Sequence, residues 1–173
     1  MDAFIEFGKL LIPASIVLYA VYLVVRSFII REVELKKLEV RSRSIETLLP
    51  ARLQAYERIT LLLERLSPQN LLIRLNDPGY KARDFQKVLL DEIRNEYNHN
   101  VSQQVYMSEE VWSLVKNAKE DLILMINEAA QKMNADSTGI DLSKRIFELA
   151  LDKKVDPMGH ALSELKKEIQ QVF

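Results

Sequence analysis

The chain has 173 residues, with 24 lysines and arginines against 25 aspartates and glutamates and a formal net charge of −1. This balance gives no support for a nucleic-acid-binding protein, which usually carries a basic face or stripe. There is no cysteine, which excludes disulfides and thiolate metal sites. Only four glycines and five prolines interrupt the chain, so its composition favours helices.

The first predicted element is an apolar segment over residues 10–30, interrupted by Arg26. A helix needs about 20 apolar residues to cross a bilayer core of about 30 Å. Lys9 and Arg26 can extend their charged ends into the headgroup region and lengthen a short span. We therefore predict a transmembrane helix from Leu10 to about Ile30. The residues assigned to the span are Leu10, Ile12, Pro13, Ile16, Leu18, Tyr19, Tyr22 and Val25.

The charges around this segment predict an uncleaved anchor and its orientation. Asp2 and Glu6 lie beside Lys9 before it, and no small-residue cleavage site follows, which disfavours a cleaved signal peptide. Basic residues are concentrated just after the span. They are Arg26, Arg31, Lys36, Lys37, Arg41 and Arg43. The positive-inside rule then places the amino terminus outside and the carboxyl-terminal part in the cytoplasm.

Residues 31–49 are predicted to form a helical stalk. Leu35, Leu38, Ile45 and Leu49 follow 3–7–4 spacing, and Ser42 occupies the skipped position. The pattern covers fewer than three heptads, so a solvated helix and a paired coiled coil both remain open. Pro50 is predicted to end or bend this helix.

Residues 50–173 are predicted to form a cytoplasmic bundle of amphipathic helices, since their apolar residues recur at steps of three and four. The predicted helical segments are 51–66, a short helix after Ser67, 83–97 or as far as 106, 109–133 after an N-cap at Ser108, a short helix near 142–149, and a last helix from Pro157. No segment alternates with a period of two, so no strand is predicted. The expected fold is all-α: anchor 1–30, stalk 31–49 and helical domain 50–173.

The search for catalytic and metal-binding patterns leads to no site. Glu96 and His99 have the Glu-x-x-His spacing of di-iron bundles, but such a site needs two pairs. The second histidine, His160, has Pro157 three residues before it, so the second pair is missing. No phosphate-binding loop, nucleophile elbow or dinucleotide fingerprint is present. We expect no enzyme activity, no metal and no cofactor.

One polar and aromatic cluster near the middle of the chain is a candidate partner-binding surface. Its members are Tyr97, Asn98, His99, Gln103, Gln104, Tyr106 and Trp112. Uncharged polar groups beside aromatic rings suit a protein interface or a buried hydrogen-bond network. The alternative is an ordinary helix–helix connection with capping residues.

Several passages resemble an uncharacterised family of proteins from Bacteroidota. They are the sequence from Pro50 to Arg58, the run from Leu63 to Pro68, the segment from Glu96 to Ser108, and Lys116 to Glu120. The resemblance implies a short membrane anchor joined to a helical cytoplasmic domain, and favours the bacterial inner membrane. It assigns no activity and no functional residues.

The function expected from these features is that of a membrane-anchored scaffold, adaptor or accessory subunit. Its partners would be proteins at the inner membrane, with self-association open, and the lipid bilayer through residues 10–30. The alternative is a stator-like stalk similar to the b subunit of ATP synthase, which needs a long unbroken helix. Pro50, Pro68, Pro78 and Pro157 argue against that helix.

Overall fold

The computed structural model describes the backbone of residues 2–152 and 156–172; the side chains of residues 2–12, 14, 41–45 and 172 lie outside the description. The helices are α1 (Asp2–Leu66), α2 (Pro68–Leu75), α3 (Ala82–Asn100), a 3-10 helix (Val101–Tyr106), α4 (Glu109–Gln131), α5 (Gly139–Asp152) and α6 (Pro157–Val172). Over the described ranges there is no strand beyond one isolated bridge between Lys81 and Thr138. The predicted all-α class is confirmed.

Of the two outcomes predicted at Pro50, a helix end or a bend, the end is wrong, because α1 runs through this residue to Leu66. A proline inside a helix removes one backbone hydrogen bond and crowds the carbonyl four residues earlier. Here that carbonyl belongs to Glu46, and both Glu46 and Pro50 are exposed, so water can reach this part of the helix. The apolar face from Ala55 onward gives the following turns enough packing to hold the helical conformation.

The chain divides into two compact units, Met1–Leu49 and Pro50–Phe173. The first unit consists of the amino-terminal part of α1. Its apolar side chains from Ile16 to Ile30 are exposed. Among the described residues, no helix is both long enough and apolar enough to cross a membrane. The transmembrane prediction is therefore unsupported in that part of the chain, and Leu10 and Ile12 of the predicted span lie among the undescribed side chains.

The second unit is a helical bundle around α4, which packs against α3, α5 and α6. Helix α3 also packs against α5, and α2 contacts both α3 and α5. The core takes one face from each helix. Its largest fully buried side chains are Tyr56, Phe85, Ile59, Leu62, Leu63, Leu66, Leu71, Leu89, Ile93, Ile126, Leu142 and Ile146. The 3–4 spacing seen in the sequence is therefore the spacing of residues that face one shared core.

The starts of α3 and α5 are joined directly by backbone hydrogen bonds. Ala82 N donates to Ser137 O at 2.9 Å, and Gly139 N donates to Tyr80 O at 2.9 Å. At Gly139 an added Cβ would lie 3.4 Å from Phe85, which is ordinary van der Waals contact. These bonds hold the two helices side by side from their first turns.

Candidate functional site

Two aromatic members of the predicted cluster, Tyr97 on α3 and Trp112 on α4, contact each other. The rings of Tyr97 and Trp112 are stacked, with centroids 5.6 Å apart and planes inclined by 27°. Lys119 Nζ lies 4.3 Å from the centroid of the Tyr97 ring, in cation–π geometry. Trp112 is half-buried and packs against the core. Much of this aromatic surface is therefore engaged within the bundle.

The polar members of the cluster lie in the last turn of α3 and in the 3-10 helix. Asn98 and His99 are exposed on the last turn of α3, and Gln104 is exposed on the 3-10 helix. Gln103 is half-buried, and its side-chain amide donates to Ser102 Oγ at 3.2 Å. Tyr106 is half-buried at the end of the 3-10 helix. Three of the seven residues, Asn98, His99 and Gln104, are therefore exposed and the other four are half-buried. Their role as one partner surface stays a prediction.

Helix α3 ends at Asn100, so the sequence-based extension to residue 106 is wrong. Asn100 is buried, and its Nδ2 donates to the carbonyl oxygen of Glu96 at 2.8 Å. Asparagine competes with regular helical hydrogen bonding in this way, because its short side chain reaches nearby backbone groups. The chain then continues as the 3-10 helix Val101–Tyr106, which exposes Val105.

His99 borders a groove of about 250 Å³ between the carboxyl-terminal part of α1 and the end of α3. The lining includes the guanidinium groups of Arg58 and Arg65 and the exposed apolar side chain of Leu61. Glu96 also lines it and accepts a hydrogen bond from Arg65 Nε at 2.7 Å. The Glu96 carboxylate therefore forms an ion pair with Arg65, which joins α3 to α1.

That ion pair belongs to a charge network that joins α1, α2 and α3. Glu92 Oε1 accepts from Arg74 Nη1 at 2.5 Å and lies 3.8 Å from Arg65 Nη2. The hydrogen bond from Arg74 holds the pKa of Glu92 below its usual value, against the opposing effect of burial. The contacts of these two carboxylates with Arg65 and Arg74 tie the three helices together.

A second polar network, which the sequence analysis did not find, joins α1, α4 and α6 through Glu168. Tyr56 Oη donates to Glu168 Oε1 at 2.7 Å, and Arg52 Nη2 donates to Tyr56 Oη at 2.8 Å. At the start of α4, the backbone N–H of Ser108 donates to Glu168 Oε1 at 3.0 Å, and the Ser108 hydroxyl also bonds this carboxylate. Arg52 Nε reaches the carbonyl oxygen of Tyr106 at 3.1 Å.

The electrostatics of this network favour a charged Glu168 and a neutral Tyr56. Burial would raise the pKa of Glu168, but hydrogen bonds from Ser108 and Tyr56 and the charge of Arg52 outweigh it and keep the pKa low. Burial, followed by the hydrogen bond to Glu168, raises the pKa of Tyr56. The carboxylate also lies at the positive end of α4. The arrangement joins α1, α6 and the start of α4 through one carboxylate.

The predicted cap at Ser108 was the one sequence signal for this network. Ser108 does cap α4, and its Oγ accepts from Val111 N at 3.2 Å, as predicted. Glu168 lies 60 residues later, and nothing in the local pattern of α6 distinguishes it from a solvated glutamate. Among the described residues, no group of three or more histidine, aspartate or glutamate side chains could hold a metal ion.

Comparison with known proteins places the chain by family. A model described as a family of unknown function (DUF7935) matches residues 2–172. Comparison with curated proteins and with solved structures gave no match. The match covers nearly the whole chain, including the apolar first unit and every helix of the bundle. The protein therefore belongs to the DUF7935 family of unknown function.

Proposed function

We propose that this protein is a membrane-anchored helical adaptor of the bacterial inner membrane, with its bundle in the cytoplasm. The observation that carries the proposal is the run of exposed residues from Ile16 to Val25, which contains no charge. Consecutive residues of a helix point about 100° apart, so this run is apolar on all sides. A helix that is apolar all round is suited to a protein core or a bilayer.

The dimensions of the segment support a bilayer as the surroundings. At about 1.5 Å per residue, residues 10–30 extend for about 32 Å, close to the thickness of the hydrocarbon core. Tyr19 and Tyr22 are exposed and stacked, with ring centroids 6.4 Å apart. Arg26 and Arg31 follow the apolar run, and their positive charges favour the cytoplasmic side.

Two observations support an adaptor role for the bundle: several carboxylates bind neighbouring helices, and other side chains stay exposed. Glu92, Glu96 and Glu168 are bound to partners on neighbouring helices. The side chains left at the surface near the end of α3 are of a mixed character that suits protein contacts. They are Leu61, Asn98, His99, Gln104 and Val105. We propose this group as the partner surface of the bundle, with no catalytic step assigned to it.

One observation favours the stator-like alternative. Helix α1 has 65 residues and continues through Pro50, which removes one of the sequence objections to a long helix. Pro68 and Pro157 still mark the first residues of new helices. A stator of this kind would co-purify with a peripheral ATPase sector at fixed stoichiometry, whereas an adaptor would not.

The anchor is tested by making the apolar run charged. Leu18→Lys with Val21→Lys should move the full chain from carbonate-washed membranes into the supernatant, because central lysines oppose insertion. The matched control is Ile73→Lys with Leu124→Lys, two exposed apolar positions of the bundle, which should leave the protein in the membrane pellet. Release of the unaltered chain by the carbonate wash would disprove the anchor.

Orientation is tested separately with the full chain. A reporter enzyme that is active only outside the cytoplasm, fused after Phe173, should remain inactive. The same reporter fused before Met1 should be active. The opposite pair of results would reverse the proposed orientation while leaving the anchor in place.

A further inference from the structure

The stalk part of α1 carries an apolar seam along one side. Its members are Leu35, Leu38, Ile45 and Leu49, with Arg31 and Ser42 at the two remaining seam positions. Leu35 and Leu38 are 59% and 63% exposed. Apolar side chains at this spacing form the a and d positions of a helix–helix contact. Arg41, Ser42 and Ile45 are placed by register alone.

The positions on either side of the seam carry mostly negative charge. In the same register, one flank contains Glu32, Glu39 and Glu46, and the other contains Glu34 and Arg41. These flanking positions set the choice and orientation of the partner in helix pairs. Four of the five charged flanking residues are therefore acidic.

A second copy of this chain matches that pattern poorly. In a parallel pair, Glu34 faces Glu39 of the other copy, an unfavourable contact that offsets the favourable one between Arg41 and Glu46. In an antiparallel pair, the flank that contains Glu32, Glu39 and Glu46 faces itself. Like charges across a helix contact oppose association.

A helix with lysine or arginine on its own flanks matches the pattern well. Its basic flanking residues would attract the four acidic flanking residues of the stalk and would repel only Arg41. Complementary charge of this kind selects partners and speeds their association, while the apolar seam supplies the contact area.

We propose that the stalk binds an amphipathic helix whose apolar heptad seam is flanked by basic residues. This inference rests on the proposed adaptor function, because it names the class of partner that the anchored stalk would engage. The binding mode is that of an apolar helix face against an apolar helix face, with specificity set by the flanks.

The experiment uses the full chain in detergent micelles and two designed helical peptides with the same leucine seam. One peptide has lysine at its flanking positions and the other has glutamate. Fluorescence anisotropy should show that the lysine-flanked peptide binds at least about tenfold more tightly, since several charge pairs change sign together. The preference should decrease at high salt.

Variants of exposed residues test the seam and the flanks separately. Leu35→Ser with Leu38→Ser should abolish binding, whereas Val33→Ser with Val40→Ser, outside the seam, should change it by less than about twofold. Glu34→Lys with Glu46→Lys should remove the preference for the basic peptide. The charge-matched control, Glu57→Lys with Glu64→Lys on the bundle part of α1, should retain it.

Three results would overturn the proposal. The first is equal affinity for the two peptides, which indicates nonspecific apolar binding. The second is unchanged binding in the Leu35→Ser, Leu38→Ser variant. The third is a stable dimer of the unaltered chain that the same variant converts to monomer, which makes a second copy the occupant. Loss of membrane association with intact peptide preference would instead disprove only the anchor.

Discussion

Two stretches of the same helix differ in what surrounds their apolar side chains. In the stalk, Leu38 is 63% exposed, whereas Leu62 in the bundle part of α1 is 1% exposed. Both residues belong to patterns with helical spacing, and both lie in regular helix. The difference shows that periodicity predicts the helix and its apolar face, but not whether the rest of the chain covers that face.

The largest expected effect comes from truncating the buried member of this pair. Leu62→Ala should lower the free energy of unfolding by about 2–5 kcal/mol, because it removes buried methyl groups and leaves a cavity. Leu38→Ala, the matched control, should change it by less than about 0.5 kcal/mol. Urea unfolding followed by circular dichroism measures both. Similar losses in the two variants would mean that the stalk leucine is also packed.

A smaller effect is expected from Glu168, which links three helices of the bundle. Glu168→Gln should cost about 1–2 kcal/mol, because hydrogen bonds to a charged group are replaced by weaker ones. Glu164→Gln on the same helix is the control, since its carboxylate accepts a hydrogen bond from Lys167 within the same helix. The control should shift the unfolding midpoint less. Equal shifts would show that Glu168 is not a specific link.

The pH dependence of that difference follows from the low pKa of Glu168. A carboxyl whose pKa is lowered by folding stabilises the fold fully above its unfolded pKa of about 4.3, and this contribution is lost as pH falls through the folded-state pKa. The stability gap between the unaltered chain and Glu168→Gln should therefore narrow below about pH 4. Unfolding curves at pH 7 and pH 3.5 measure it. A gap that widens in acid would contradict the assigned charge state.

The smallest stability effect is expected at the exposed polar residues near the end of α3. Asn98→Ala with Gln104→Ala should change the free energy of unfolding by less than about 0.5 kcal/mol, because both side chains are exposed. The same variant should weaken recovery of a membrane partner if these residues belong to an interface. A loss of several degrees in melting temperature would place them in a structural network. No change in either measurement would leave them as solvated residues of a connection.

Local signals predicted much of the bundle. The spacing of Val111, Val115 and Leu122 predicted the buried face of α4, and Ser108 was identified as its cap. Both follow from interactions within a few residues, namely amphipathic periodicity and side-chain capping. The error at Pro50 came from the same local reasoning, since proline usually breaks helices but packing of the following turns outweighed that tendency.

Local sequence patterns gave less information about the candidate site than about the bundle helices. Tyr97, His99 and Gln104 are close in sequence, yet they have different environments: the ring stacks on Trp112, the imidazole borders a groove with Arg58, and the amide is exposed on the 3-10 helix. Tyr97 and His99 lie on α3, which ends at Asn100, whereas Gln104 lies on the 3-10 helix that follows. Proximity along the chain therefore did not predict the environment of each side chain.

The sequence by itself determined the helical class, the main helices of the bundle and the mainly apolar character of residues 10–30. These depend on composition, periodicity and charge, which act over short distances along the chain. Only the tertiary structure decided that Glu168 binds Tyr56 and Ser108, and that Arg74 and Arg65 share Glu92. Such contacts join helices far apart in sequence, so they depend on how the core brings those helices together.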